Sequence, residues 1–253
     1  VSWLSGLRAE SVDLVVTDPA YESLEKHRAK GTTTRLKESK ASSNEWFQVF
    51  PNARFPELFA ELFRVLRWGR HCYVFSDVET MFVAKPAAEA AGFKFWNALV
   101  WSKERIGMGY HYRRSYEVVL FFAKEKSGKK RKLNDLGIGD VIRCKPVVGG
   151  YPTEKPAAVS RMLVEQSTAP GELVIDPFCG SGSVGFASVV AGRRFLGCDI
   201  VERACEMSRN RLEAAAADRA AWVRSVADRL CNPTPDELAE LRAFNGGDSD
   251  ASV

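Results

Sequence analysis

Apolar and polar positions along the chain fall into short buried-strand patterns separated by helical ones. Val12 to Thr17 is apolar except for Asp13 and Thr17, the pattern of a strand covered on both faces. From Phe55 to Leu66, the residues Leu58, Phe59, Leu62, Phe63 and Leu66 recur at i, i+3, i+4 spacing. That periodicity predicts a helix with one core-facing stripe. Cys72 to Phe75 reads as a buried strand, and Glu79 to Ala91 as a helix closed by Gly92. Phe93 to Trp101 and Tyr116 to Ala123 are two further strands. Pro156 to Thr168 is a helix with proline in its first turn. Strand Leu173 to Ile175, helix Val184 to Ala191, strand Arg194 to Ile200 and a helix from Glu202 to about Ala217 complete the pattern.

Strands alternating with helices predict an α/β fold with a doubly wound, mostly parallel, Rossmann-like sheet. Ligands of such sheets bind beyond the carboxyl ends of the strands. Residues 1–217 are expected to form one domain, and 218–253 a helical extension broken around Asn232-Pro233-Thr234-Pro235 with a frayed tail. The polar stretch from Glu22 to Asn44 has no periodicity and reads as a long loop.

Composition narrows the function only slightly. The 253 residues suffice for one well-buried core. No apolar run approaches the ~20 residues of a membrane span, and no signal-peptide pattern opens the sequence. A net charge of +4 permits nucleic-acid binding without demanding it. The six cysteines are scattered without a Cys-x-x-Cys pair, and the three histidines, His27, His71 and His111, lie far apart. No metal site is expected, and the thiols read as reduced.

The chemistry sits at two strand ends. Asp18-Pro19-Ala20-Tyr21 follows the first strand. An amino group on a nucleobase is a poor nucleophile because its lone pair is delocalised into the ring. A carboxylate and a backbone carbonyl that each accept one of its N–H bonds localise that pair. Asp18 and the Pro19 carbonyl suit these roles, and Tyr21 suits stacking on the base. The rival reading is an ordinary turn-forming Asp-Pro.

Asp176-Pro177-Phe178-Cys179-Gly180-Ser181-Gly182 follows the strand Leu173 to Ile175. Gly180 to Gly185 fits Gly-x-Gly-x-x-Gly, with Asp199 about 20 residues on, as in a dinucleotide fingerprint. Asp176 argues for a different ligand, because a carboxylate there opposes a pyrophosphate and suits an ammonium or sulfonium. S-adenosylmethionine carries both and no phosphate. Asp199, followed by Ile200, accepts ribose hydroxyls in either reading.

Together the motifs resemble those of the beta-class DNA amino-methyltransferases (adenine-N6 and cytosine-N4), in which the catalytic motif precedes the cofactor motif. The resemblance spans about Val12 to Leu212. It implies S-adenosylmethionine as cofactor, double-stranded DNA as partner, in-line transfer to an extruded base and a bacterial or phage cytoplasmic setting, and it admits a homodimer. It also implies that Tyr151-Pro152-Thr153-Glu154-Lys155-Pro156 holds the methionine end of the donor, with Thr153 and Lys155 as contacts and Lys155 facing its carboxylate. Residues 1–123 are then the catalytic half, 124–150 the target-recognition segment and 151–217 the cofactor half. Ala20 replaces the family's usual second proline, and Tyr151 and Glu154 replace its usual His and Gln. Asp18 favours adenine N6, with cytosine N4 as the alternative and a catalytically inactive nucleic-acid-binding homologue as a second. C5-cytosine chemistry is disfavoured because the chain has no Pro-Cys pair, and Cys179 reads as filling space beside the cofactor turn.

Three basic segments are candidates for DNA contact: Lys26, Arg28 and Arg35 after the first motif; Arg105, Tyr112, Arg113 and Arg114 between two strands; and Lys129, Lys130 and Arg131 after a strand end.

Overall fold

A computed structural model describes residues 1–23, 48–107, 110–148 and 154–231, with side chains as far as residue 221. Residues Val1–Leu212 form one compact unit. After a short helix α1 (Ser2–Ser5) come β1 (Val12–Thr17), α2 (Phe55–Val65), β2 (Leu66–Ser76), α3 (Val78–Ala90), β3 (Lys94–Ser102) and β4 (Tyr116–Lys124). Then follow β5 (Val141–Arg143), α4 (Ala157–Ser167), β6 (Leu173–Asp176), α5 (Ser183–Val190), β7 (Arg194–Gly197) and α6 (Glu202–Cys231).

The strands form one seven-stranded sheet in the order β5-β3-β4-β2-β1-β6-β7. β1 pairs in parallel with β2 and β6, β6 with β7, and β3 with β5. Only β4 runs against its neighbours β2 and β3. The carboxyl ends of six strands and the amino end of β4 therefore share one edge of the sheet.

Alternation along the strands feeds two cores. Cys72 and Val74 of β2, with Val118, Leu120 and Phe122 of β4, face α2 and α3. Tyr73, Phe75 and Val119 face Leu163 and Val164 of α4 and Val184 of α5. Of the expected α2 stripe, Leu58, Phe59 and Leu62 are fully buried and Phe63 partly so, while Leu66 is buried as the first residue of β2. Asp13, 1% exposed within β1, is tolerated because it is compensated. Arg67 and Arg70 pair with it at 2.7 and 3.2 Å, and the Leu173 N–H donates to it at 2.9 Å.

The structure corrects several boundaries. β2 begins at Leu66, six residues before the apolar run that signals it. β5 has no counterpart among the expected elements, since Val141-Ile142-Arg143 is too short to show a period. β7 stops at Gly197: the Cys198 N–H closes the ladder on the Asp176 carbonyl at 3.1 Å, and the Cys198 carbonyl then goes to the Cys179 N–H in the turn after β6 at 2.9 Å. α6 continues past Ala217 to Cys231. Residues 232–253 lie outside the described residues, as does most of the expected loop from Glu22 to Asn44.

Candidate active site

The end of β6 builds an acidic turn. The Thr17 hydroxyl and the Phe178 N–H both donate to Asp176 Oδ1, at 2.7 and 3.0 Å. Burial nevertheless pushes the Asp176 carboxyl up to about 7, and the charges of Asp18 and Asp199 add to the rise. The Gly180 and Val201 N–H groups donate to the two oxygens of Asp199, each at 3.0 Å. The Cys179 N–H goes to the Cys198 carbonyl at 2.9 Å, and the Gly182 N–H to the Cys179 carbonyl at 2.8 Å. Asp199 thus occupies the Gly180 amide of the glycine turn, and the Asp176 and Asp199 carboxylates both flank it, so the turn suits a cationic ligand and opposes a phosphate.

Gly182 is required here. It has φ +78°, and a Cβ would lie 2.4 Å from Ser208 Oγ and 3.0 Å from the Ser208 Cα on α6. That close approach brings the start of α6 against the turn and sets Asp199 beside Gly180. Cys179 is buried, and burial raises its thiol far above the usual range, in keeping with a space-filling role.

At the end of β1, the Tyr21 hydroxyl donates to Asp18 Oδ1 at 2.6 Å. The Phe50 N–H donates to the Ala20 carbonyl at 2.8 Å, and Tyr21 pairs with Phe50 as an isolated bridge. Burial, then the Asp18 charge, holds the Tyr21 phenol well above its ordinary value, so it stays a donor at neutral pH. Ser23 extends the anchoring by donating to Asp77 Oδ2 at 2.6 Å, beyond the end of β2.

In the free protein Lys155, expected to face the donor's carboxylate, faces two carboxylates of the protein itself. Its ammonium is hydrogen-bonded to Asp18 Oδ2 and lies 3.4 Å from Glu117 Oε2. Burial alone would lower this ammonium, yet the Asp18 and Glu117 charges outweigh it and raise the group above the lysine norm. Glu117 in turn accepts from Lys103 Nζ at 2.6 Å. Its carboxyl is held below the usual range because Lys155 and Lys103 overcome the effect of burial. Sequence reasoning did not nominate Glu117, and read Lys103 only as one of the basic residues of the β3–β4 connection that could contact DNA. The available signal was a single acidic residue in the otherwise apolar run from Tyr116 to Ala123.

Both motifs open onto one cavity of about 640 Å³, lined among others by Asp18, Tyr21, Glu117, Asp176, Asp199 and Ile200. Pro19, Ala20, Pro177, Phe178, Gly180 and Ser181 also line it, whereas Gly182 acts from behind by packing. Thr153, Lys26, Arg28 and Arg35 lie outside the described residues.

The remaining basic candidates separate. Arg105, Tyr112, Arg113 and Arg114 sit on the β3–β4 connection at the site's edge, with Tyr112 fully exposed and Arg114 reaching Asp77 at 3.4 Å. Lys129, Lys130 and Arg131 do not join them. Because β4 is antiparallel, the turn after it lies at the opposite edge, where the Lys129 backbone approaches Gly69 and Arg131 pairs with Glu172 at 3.0 Å. The Arg131 carbonyl also accepts from His71 Nε2 at 3.2 Å. Burial lowers that imidazole to about 4, so it is neutral and serves the packing there.

A mostly parallel sheet with an acidic glycine turn and an Asp-Pro-x-Tyr turn on one cavity defines a Rossmann-like methyltransferase. The chain belongs to the N6/N4 DNA methylase family, whose sequence model matches residues 12–210. DNA adenine methyltransferase YhdJ of Escherichia coli (strain K12) is 27% identical over 249 residues, covering 84% of this chain and 80% of its own. Type II methyltransferase M2.DpnII of Streptococcus pneumoniae is 25% identical over 235 residues, covering 84% and 86%. In structure the chain resembles TTHA0409 of Thermus thermophilus complexed with S-adenosyl-L-methionine, with a TM-score of 0.63, 20% identity and coverage of 85% and 90%. It also resembles the cytosine-N4-specific PvuII DNA methyltransferase, with a TM-score of 0.62, 14% identity and coverage of 85% and 86%.

Proposed function

We propose that this DNA methylase transfers a methyl group from S-adenosylmethionine to the exocyclic N6 of adenine in duplex DNA. The observation that carries the reading is the shared cavity, with the Asp18 carboxylate on one wall and the acidic turn of Asp176 and Asp199 on the other. The donor, when bound, supplies an electrophilic methyl carbon on a sulfonium. Asp176 would face its cationic end, Asp199 its ribose hydroxyls, and Phe178 and Ile200 its apolar ring.

Asp18 and the Pro19 carbonyl then accept the two N–H bonds of the target amino group and aim its lone pair across the cavity. Tyr21 holds Asp18 from behind through its hydroxyl while its ring lines the same space. The base reaches this pocket only by leaving the duplex, which costs roughly a few kcal/mol. Arg105, Tyr112 and Arg113, exposed on the adjoining connection, would contact the phosphates and the opened stack.

The test is to incubate the protein with unmethylated duplex DNA and donor, digest to nucleosides and identify the product by mass spectrometry against standards. N6-methyladenine is expected, and it should vanish with Asp18→Asn while donor affinity is kept. N4-methylcytosine would transfer the same geometry to the alternative base, and no methylated nucleoside would overturn the reading.

A further inference from the structure

In the free protein both oxygens of Asp18 are engaged, Oδ1 by the Tyr21 hydroxyl and Oδ2 by the Lys155 ammonium. A target amino group therefore meets no vacant carboxylate oxygen, and one partner has to give way. The Tyr21 ring is 7% exposed and its backbone is tied to Phe50, so it has little room to move. Lys155 is different, because a second acceptor lies beside it.

Glu117 Oε2 is buried and has no hydrogen-bond partner among the described residues, although it stands 3.4 Å from the Lys155 ammonium. The other oxygen, Oε1, is fixed by Lys103 at 2.6 Å, so the carboxylate is held with its unused oxygen towards Lys155. At 3.4 Å the ion pair is formed but its hydrogen bond is not, and a small shift of the ammonium from Asp18 towards Glu117 would complete it. The arrangement follows from the sheet. β2 separates β1, which carries Asp18, from β4, which carries Glu117. Lys155 spans the gap, its ammonium 5.3 Å from the ring centre of Phe75 on β2.

We propose that Glu117 is a positioning residue that takes the Lys155 ammonium from Asp18 when the target base enters, freeing Asp18 Oδ2 to accept the amino N–H. Lys155 stays protonated throughout, and its hydrogen bond moves from one carboxylate to the other. The inference rests on the proposed role of Asp18 towards the amino group. It differs from a simple structural ion pair, because Lys155 restrains Asp18 unless Glu117 can receive it.

The test compares the parent, Glu117→Gln, Lys155→Gln and the double variant. For each, single-turnover methylation of unmethylated duplex DNA is measured together with the Kd for S-adenosylmethionine and the Tm. With Glu117→Gln the ammonium stays on Asp18, and the methylation rate falls about tenfold, the equivalent of one charge-assisted hydrogen bond. Donor Kd and Tm stay near the parent values. Adding Lys155→Gln removes the restraint, and the double variant becomes faster than Glu117→Gln alone. This sign of coupling is one that additive structural damage does not produce. A Glu117→Gln variant as fast as the parent overturns the proposal, and so does a double variant slower than both singles. A donor Kd weakened alone by Lys155→Gln returns Lys155 to the donor's carboxylate and also overturns it. An inactive parent would instead sink the functional reading on which the proposal stands.

Discussion

Asp176→Asn separates the stability of the site from its use. Burial places the folded-state carboxyl at about 7, against an ordinary value of 3.8. Between those values the folded protein binds a proton that the unfolded chain has lost. Stability therefore falls as pH rises from about 4 to 7, and stays at the lower level above that. The difference of roughly three pH units corresponds to roughly 4 kcal/mol. Asn keeps an acceptor for the Thr17 hydroxyl and the Phe178 N–H, which share one oxygen of Asp176. The donor-free variant should thus be more stable than the parent by roughly 1–4 kcal/mol at pH 8, the lower figure allowing for an unpaired amide, and about equal to it at pH 5. Urea unfolding at the two pH values measures this. Calorimetric titration gives the other half: near an ionisation at about 7, the Kd for S-adenosylmethionine weakens about tenfold from pH 8 to pH 6 in the parent and stays flat in the variant. A variant destabilised at pH 8, or a parent whose donor affinity ignores pH, would refute the assignment of a buried carboxylate facing a cation.

Gly182→Ala meets Ser208 on α6 with a left-handed φ, and should lower stability by about 1–3 kcal/mol in urea; an unchanged midpoint would show that α6 yields. Asp199→Ala removes the acceptor for the Gly180 and Val201 amides, so donor Kd should weaken by at least tenfold with DNA affinity kept, and equal donor binding counts against the ribose role. Replacing Arg105 and Arg113 with Ala should weaken DNA binding and shrink its salt slope by about 2, whereas Lys129→Ala with Lys130→Ala at the far edge should leave both unchanged. A salt titration of duplex affinity that gave the reverse ranking would overturn the placement of DNA on the site's edge.

The parts of this molecule written locally were legible. The α2 stripe and the fully buried β1 follow from periodicity alone, and the two motifs at strand ends placed Asp18 and Asp176 in one cleft. What escaped depends on pairing across the sheet. Nothing in residues 116–124 says that β4 is reversed, yet that reversal brings Glu117 to the site and sends Lys129 to Arg131 away from it. The partners of Lys155 were hidden for the same reason, since Asp18 lies 137 positions away. β5 escaped because three residues pair only when β3 is already in place.

The central position of β1 bears on how the chain is made. β1 leaves the ribosome well before β6, and β2, β4 and β3 can assemble beside it, but its other edge waits for β6. Until then Asp13 lacks the Leu173 amide and Thr17 lacks Asp176, contacts 160 and 159 positions apart. Long-range closure of this kind is slow and leaves a bare, strongly apolar strand edge exposed in the interim. A nascent chain halted before β6 is thus an aggregation-prone half-sheet, and docking of the last strands completes in one event both the core and the enzyme's ability to hold two substrates.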